Sequence, residues 1–122
     1  MSASDNGGRV NLPFTAGTNL TSKYIDVQIV EGANPCQRPA GGATSSRNVT
    51  INGIQFLEEI GSEGAAGSIY DWTSYSTLRN NACINLTFVL RSSNMPTPPP
   101  IFDKTAESAV FSTIIGTFNW LT

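Results

Sequence analysis

Histidine is absent from this chain of 122 residues, and lysine stands only at Lys23 and Lys104. A nucleophile activated by imidazole is thereby excluded. Only 13% of the residues are charged, about half the usual share. The seven basic residues are scattered singly, so the phosphate-neutralising stripe of a nucleic-acid binder is missing. No apolar run approaches the roughly 18 residues of a spanning helix. Cys-x-x-Cys spacing is absent, and two cysteines alone cannot close a four-ligand zinc site. The glycine-rich stretches at 40–42 and 61–67 lack the Gly-Lys-Ser/Thr ending of a phosphate-cradling loop.

What is present is Ser, Thr, Asn and Gly in quantity, with 9% aromatics and a net charge of −2. Such a chain is not disordered throughout. Its length suits one domain with a modest core. Residues 1–11 read as a flexible lead and residues 12–122 as a single α+β domain. Residues 24–30 alternate, which predicts a strand with Ile25, Val27 and Ile29 on one face. As the first and a short strand, it is expected at a sheet edge, where pairing with a second copy would make a homodimer. Residues 31–47 read as a loop holding Cys36. Asn52-Gly53 predicts a tight turn or a kink, and Asn80-Asn81 a two-residue hairpin. Gly61 to Gly67 reads as a glycine-rich connection.

The second hairpin implies a register, with Leu78 opposite Cys83, Tyr75 opposite Leu86 and Trp72 opposite Val89. One face then carries Tyr75, Ile84, Leu86, Phe88 and Leu90. The other carries Trp72, Leu78, Cys83 and Val89. After the proline connector from Pro96 to Pro100, residues 103–118 predict a helix capped by Asp103. Its apolar stripe is Ala106, Val110, Ile114 and Phe118. It should pack onto the face of Tyr75, Leu86 and Phe88. The architecture expected is an antiparallel β-meander with one C-terminal helix on a face.

Cys36 and Cys83 lack a base or a metal-binding company, so the structural reading is a disulfide tying the 31–47 loop to the sheet, over the indole of Trp72. Closing such a loop contributes up to about 4 kcal/mol in the chain-entropy account. Glu58-Glu59 and Glu63 cluster near a turn. Paired carboxylates can serve glycoside hydrolysis or calcium, but neighbouring strand positions face opposite ways, which favours solvated surface. Three Asn-x-Thr triplets begin at Asn19, Asn48 and Asn85, and a chain rich in Asn and Thr produces these by composition. Tyr70 and Trp72 share a face and form a possible binding surface for a sugar or a protein, or else a packed core.

From Gly17-Thr18-Asn19-Leu20 onward the chain resembles a group of uncharacterised bacterial secreted proteins and lipoproteins. The resemblance rests on Asn52-Gly53-Ile54-Gln55-Phe56, on Ile69 to Thr77, on Cys83 to Leu90, and on Phe102 to Ser108 with the closing Phe118. More distantly it resembles the C-terminal part of the PsbP/Mog1-like fold, an α/β/α sandwich, here with a short N-terminal layer as in a truncated member. That resemblance implies binding rather than catalysis.

The combined expectation is a non-catalytic, disulfide-stapled binding or accessory module, extracytoplasmic, secreted or of the cell envelope. No catalytic, cofactor or metal residues are assigned. The partner is an unknown protein or small ligand, with no nucleic acid and no transmembrane segment. Met1 to Gly8 does not read as an export signal: either the protein is a cytoplasmic interaction protein with two reduced thiols, or an export segment has been removed upstream, and the cysteine pair favours the second. The alternative is a small sugar-binding module or hydrolase using Trp72, Tyr70 and nearby acidic residues.

Overall fold

The computed structural model describes residues 7–94 and 99–118. Six strands and one helix follow in order: β1 (Gly7–Asn11), β2 (Leu20–Glu31), β3 (Ser45–Ile51), β4 (Ile54–Ala65), β5 (Ser68–Arg79), β6 (Ala82–Ser93) and α1 (Lys104–Gly116). They form one antiparallel sheet in the order β1-β2-β6-β5-β4-β3. The α+β architecture, an antiparallel sheet with one C-terminal helix, is as the pattern implied, but β2 pairs with β6 and not with β3, so only β3 to β6 run as a meander. Strands β3 to β6 are joined by tight hairpins whose central residues all have positive φ: Asn52 and Gly53, Asn80 and Asn81, which tolerate it readily, and Ala66 with Gly67, where Gly67 does and Ala66 is held there by the turn. Asn52-Gly53 is therefore a hairpin and not a kink. The β5–β6 register matches that expected, with Leu78 opposite Cys83 and Trp72 opposite Val89.

Four expectations about the strands are corrected. Residues 7–11 are not a lead but strand β1, whose Arg9 grips Asp26 of β2 through two hydrogen bonds of 2.7 and 3.1 Å. The 24–30 strand is consequently interior, between β1 and β6, and the edges are β1 and β3. Residues 45–47 of the expected loop pair with β4 as the start of β3. Gly61 to Ala65 continue β4, and the connection shrinks to Ala66-Gly67.

One face of the sheet carries the main core: Leu20, Ile25, Ile54, Phe56, Tyr75, Phe88, Leu90, Phe102, Phe111 and Ile115. Asp103 caps α1 by accepting from the Ala106 N–H at 3.0 Å. The buried side of α1 is Glu107, Phe111 and Ile115, spaced i, i+4, i+8. Phe111 lies 4.8 Å from the ring of Phe88, and Phe118 lies 5.3 Å from Phe56. The expected stripe is thus rotated. Ala106 is exposed and Val110 is 38% exposed, while Ile114 and Phe118 pack partly against the core. The cause is Glu107, which a hydrophobicity pattern assigns to solvent. It takes a buried place because Lys23 donates to it at 3.0 Å and the Thr15 N–H at 3.0 Å.

Glu58 and Glu59 point to opposite faces, as strand alternation requires, but neither is solvated. Glu58 is 8% exposed and paired to Arg47 at 2.7 Å; Glu59 is 6% exposed. Glu58 lies against Tyr75. Burial, then the hydrogen bond to Glu58, raise that phenol above its ordinary value.

Candidate functional site

The second face of the sheet is built differently. The 13 residues between β2 and β3 must cross from one side of the sheet to the far edge, because β6, β5 and β4 lie between them. They cross over the face that lacks the helix. Cys36 bonds Cys83 of β6, 47 positions away, with Cα atoms 5.2 Å apart. Two residues on, the Arg38 guanidinium lies 3.9 Å over the indole of Trp72. The Arg38 backbone N–H donates to Glu59 at 2.8 Å, and its Nη1 donates to Gly41 and Glu63. The Thr44 N–H then donates to Ile60 O at 2.7 Å, where β3 begins. The disulfide and its place over the Trp72 side are as the sequence predicts.

Beneath this strap, Tyr24, Trp72 and Val89 form a second small cluster with Tyr70 against it. Tyr24 pairs with Val89 and Val89 with Trp72, so the three lie in one row across β2, β6 and β5. Next to them the sheet is polar but fully satisfied. Asn85, 1% exposed, donates to Ser74 at 2.6 Å and Ser76 at 2.7 Å, and accepts from Thr87 at 2.7 Å. The triplet at Asn85 is therefore committed to a buried network, and Asn19 accepts from the Phe102 N–H at 2.9 Å.

The strap on one side and β1 on the other turn this face into a cleft of about 710 Å³. Its floor includes Tyr24, Trp72, Val89, Tyr70 and Thr87, and its walls include Arg9, Asp26, Arg38 and Glu63. Three aromatics here each carry a guanidinium: Arg9 lies 3.9 Å over Tyr24, Arg38 lies 3.9 Å over Trp72, and Arg91 lies 5.4 Å from Tyr70. Burial raises the Tyr24 phenol above its ordinary value, Arg9 opposes the rise, and Asp26 and Tyr70 add to it. The hydrogen bond to Asp26 raises Arg9.

Trp72 is 3% exposed, so its ring is not an open platform for a sugar. Tyr70 is half-buried at the same cleft. The Trp72 Nε1–H is buried and has no acceptor among the described residues. An indole N–H left so costs about 1–3 kcal/mol. Of the acidic residues, Glu63 lies in the cleft wall, whereas Glu58 belongs to the opposite face and Asp71 pairs with Lys104 at 3.4 Å. Among the described residues, no three acidic or sulfur ligands are placed to hold a metal ion, and no helix is long and apolar enough to cross a membrane.

Arg9, Arg38 and Tyr24 were not singled out by sequence pattern. Arg38 was within reach of inference, because a disulfide at Cys36 fixes its second neighbour near Trp72. Arg9 and Tyr24 depend on the β1–β2 and β2–β6 pairings, which strand periodicity alone does not specify. The chain matches no protein-family model and no curated protein sequence.

Proposed function

We propose that this protein is a non-catalytic, extracytoplasmic binding module that takes a small ligand in the cleft between β1 and the disulfide-pinned strap. The observation that carries the reading is the Trp72 indole N–H, buried beside a 710 Å³ cleft with no acceptor among the described residues. Buried donors are almost always satisfied, so this one supports an acceptor brought by a ligand or its water to the cleft that Trp72 lines. The cleft carboxylates Asp26 and Glu63 are each paired to an arginine, at 2.7 and 3.4 Å. With no histidine in the chain, this supports binding over hydrolysis. The buried Trp72 ring, capped by Arg38, supports edge recognition over sugar stacking. The Cys36–Cys83 bond supports an oxidising compartment outside the cytoplasm. It is also in keeping with the resemblance to bacterial secreted proteins.

The test is a titration of the ¹⁵N-labelled chain with a panel of small sugars, acids, amines and amides. Shifts concentrated at the Trp72 indole, Tyr24 and Arg38 are expected for at least one class. Shifts confined to the helix side of the sheet would reject the cleft as the site.

A further inference from the structure

The cleft offers an unequal set of hydrogen-bonding groups. Arginine has five N–H donors and no acceptor. Arg9 spends Nε and Nη2 on Asp26, and its Nη1 makes no hydrogen bond among the described residues. Arg38 spends Nη1 on Gly41 and Glu63, and its Nε and Nη2 make none among them. The Trp72 Nε1–H, fully buried beside the cleft, is likewise without an acceptor among the described residues.

The two guanidinium groups are not loosely held. Each is stacked 3.9 Å over a ring, and the two rings flank Val89 in one row of the sheet. Two strand spacings separate the rings, about 10 Å. A ligand lying on Val89 therefore has a fixed guanidinium on either side. Ordering both in the free protein lowers the entropy that binding must otherwise supply.

The geometry points to a ligand bearing a single carboxylate, received by the spare N–H groups of Arg38 and Arg9, with an apolar body on Val89 and Tyr70. This deepens the binding reading above and rests on it. A planar carboxylate matches the guanidinium fork in two parallel hydrogen bonds. The charge balance selects it over a phosphate dianion. Arg9, Arg38 and Arg91 are opposed by Asp26 and Glu63 at the cleft and by Glu59 beneath the strap. The fixed charges are matched three to three, so a double anion would leave twice the uncompensated charge of a carboxylate in the cleft. Recognition is by directed donors, not by a general positive field.

The experiment uses the full oxidised chain with Trp120→Phe, so that one indole resonance remains of the two tryptophans. The probes are phenylacetate, its neutral isostere phenylacetamide, and inorganic phosphate. Phenylacetate is expected to move the Trp72 indole resonance, and the other two to leave it in place at equal concentration. Arg38→Gln and Arg9→Gln should each weaken phenylacetate at least tenfold. Arg9 lies on an exposed edge strand, so Arg9→Gln keeps the test alive if Arg38→Gln loosens the strap. Equal shifts from acid and amide, tighter binding of phosphate, or unchanged affinity in Arg9→Gln would each overturn the carboxylate assignment. If all three probes fail while another class in the wider panel moves the indole, the carboxylate assignment fails and the cleft reading stands. If the whole panel is silent, both fail.

Discussion

Lys23 and Glu107, separated by 84 positions, form a 3.0 Å ion pair in the seam between sheet and helix, with side chains only 5% and 9% exposed. The pair joins the start of β2 to the first turn of α1. The Lys23 ammonium also lies 5.6 Å from the Phe111 ring. Burial alone would raise Glu107, but the Thr15 N–H and the Lys23 ammonium outweigh it, and the carboxyl is held below its ordinary value.

A folded-state value below the unfolded one contributes stability that is present above the ordinary glutamate range. That stability is lost as pH falls through the lowered value. The chain should therefore lose stability as pH drops below about 4.5. Glu107→Gln should start less stable at pH 7, by about 3 kcal/mol, because it leaves a buried ammonium without its counter-charge. Its stability should then change less between pH 5 and pH 3, a range on the order of the ordinary carboxyl titration. Urea melts across that range decide it. Parallel pH curves for both proteins would show that the pair is not the acid-sensitive contact.

Phe111 rather than Val110 anchors the helix. Phe111→Ala should cost about 3–5 kcal/mol, whereas Val110→Ala should stay within about 1 kcal/mol. Denaturant midpoints of the two variants report the rotation of α1 directly. Equal losses would mean that the seam is centred one residue away.

Gly61 sits on β4 opposite Trp72, and a Cβ there would run into the Cζ2–Cε2 edge of the indole. Gly61→Ala should destabilise by about 1–3 kcal/mol through overpacking. It should also shift the Trp72 emission. Gly53→Ala, where a side chain meets open space but φ is +76°, should cost stability without changing that emission.

The Cys36–Cys83 bond closes a long loop and pins the strap. Cys36→Ala with Cys83→Ala should lower stability by about 2–4 kcal/mol. The strap should loosen first, exposing Trp72 to acrylamide quenching while the helix-side core stays folded. Thiol titration of the oxidised chain in denaturant should find no free sulfhydryl. Two free groups would remove the basis for both the strap and the oxidising compartment.

Local sequence carried much of this fold. Asn52-Gly53 and Asn80-Asn81 determine hairpins because few other residues accept positive φ at both central positions. Once Asn80-Asn81 turns, the β5–β6 register and the two faces follow from strand alternation. Asp103 determines where the helix starts, whereas most of the proline connector before it lies outside the described residues. The disulfide follows from two cysteines with no other chemistry open to them. Only the tertiary structure decided which strand is an edge, since five unremarkable residues, Gly7 to Asn11, become a strand solely by pairing with β2. It also decided the helix rotation, because Glu107 counts as polar in any pattern and becomes a core residue only when Lys23 and Thr15 meet it. The cleft is of the same kind. Arg9 over Tyr24 and Arg38 over Trp72 are contacts between segments distant in sequence. Such contacts come from pairing and crossover, and no local periodicity encodes them.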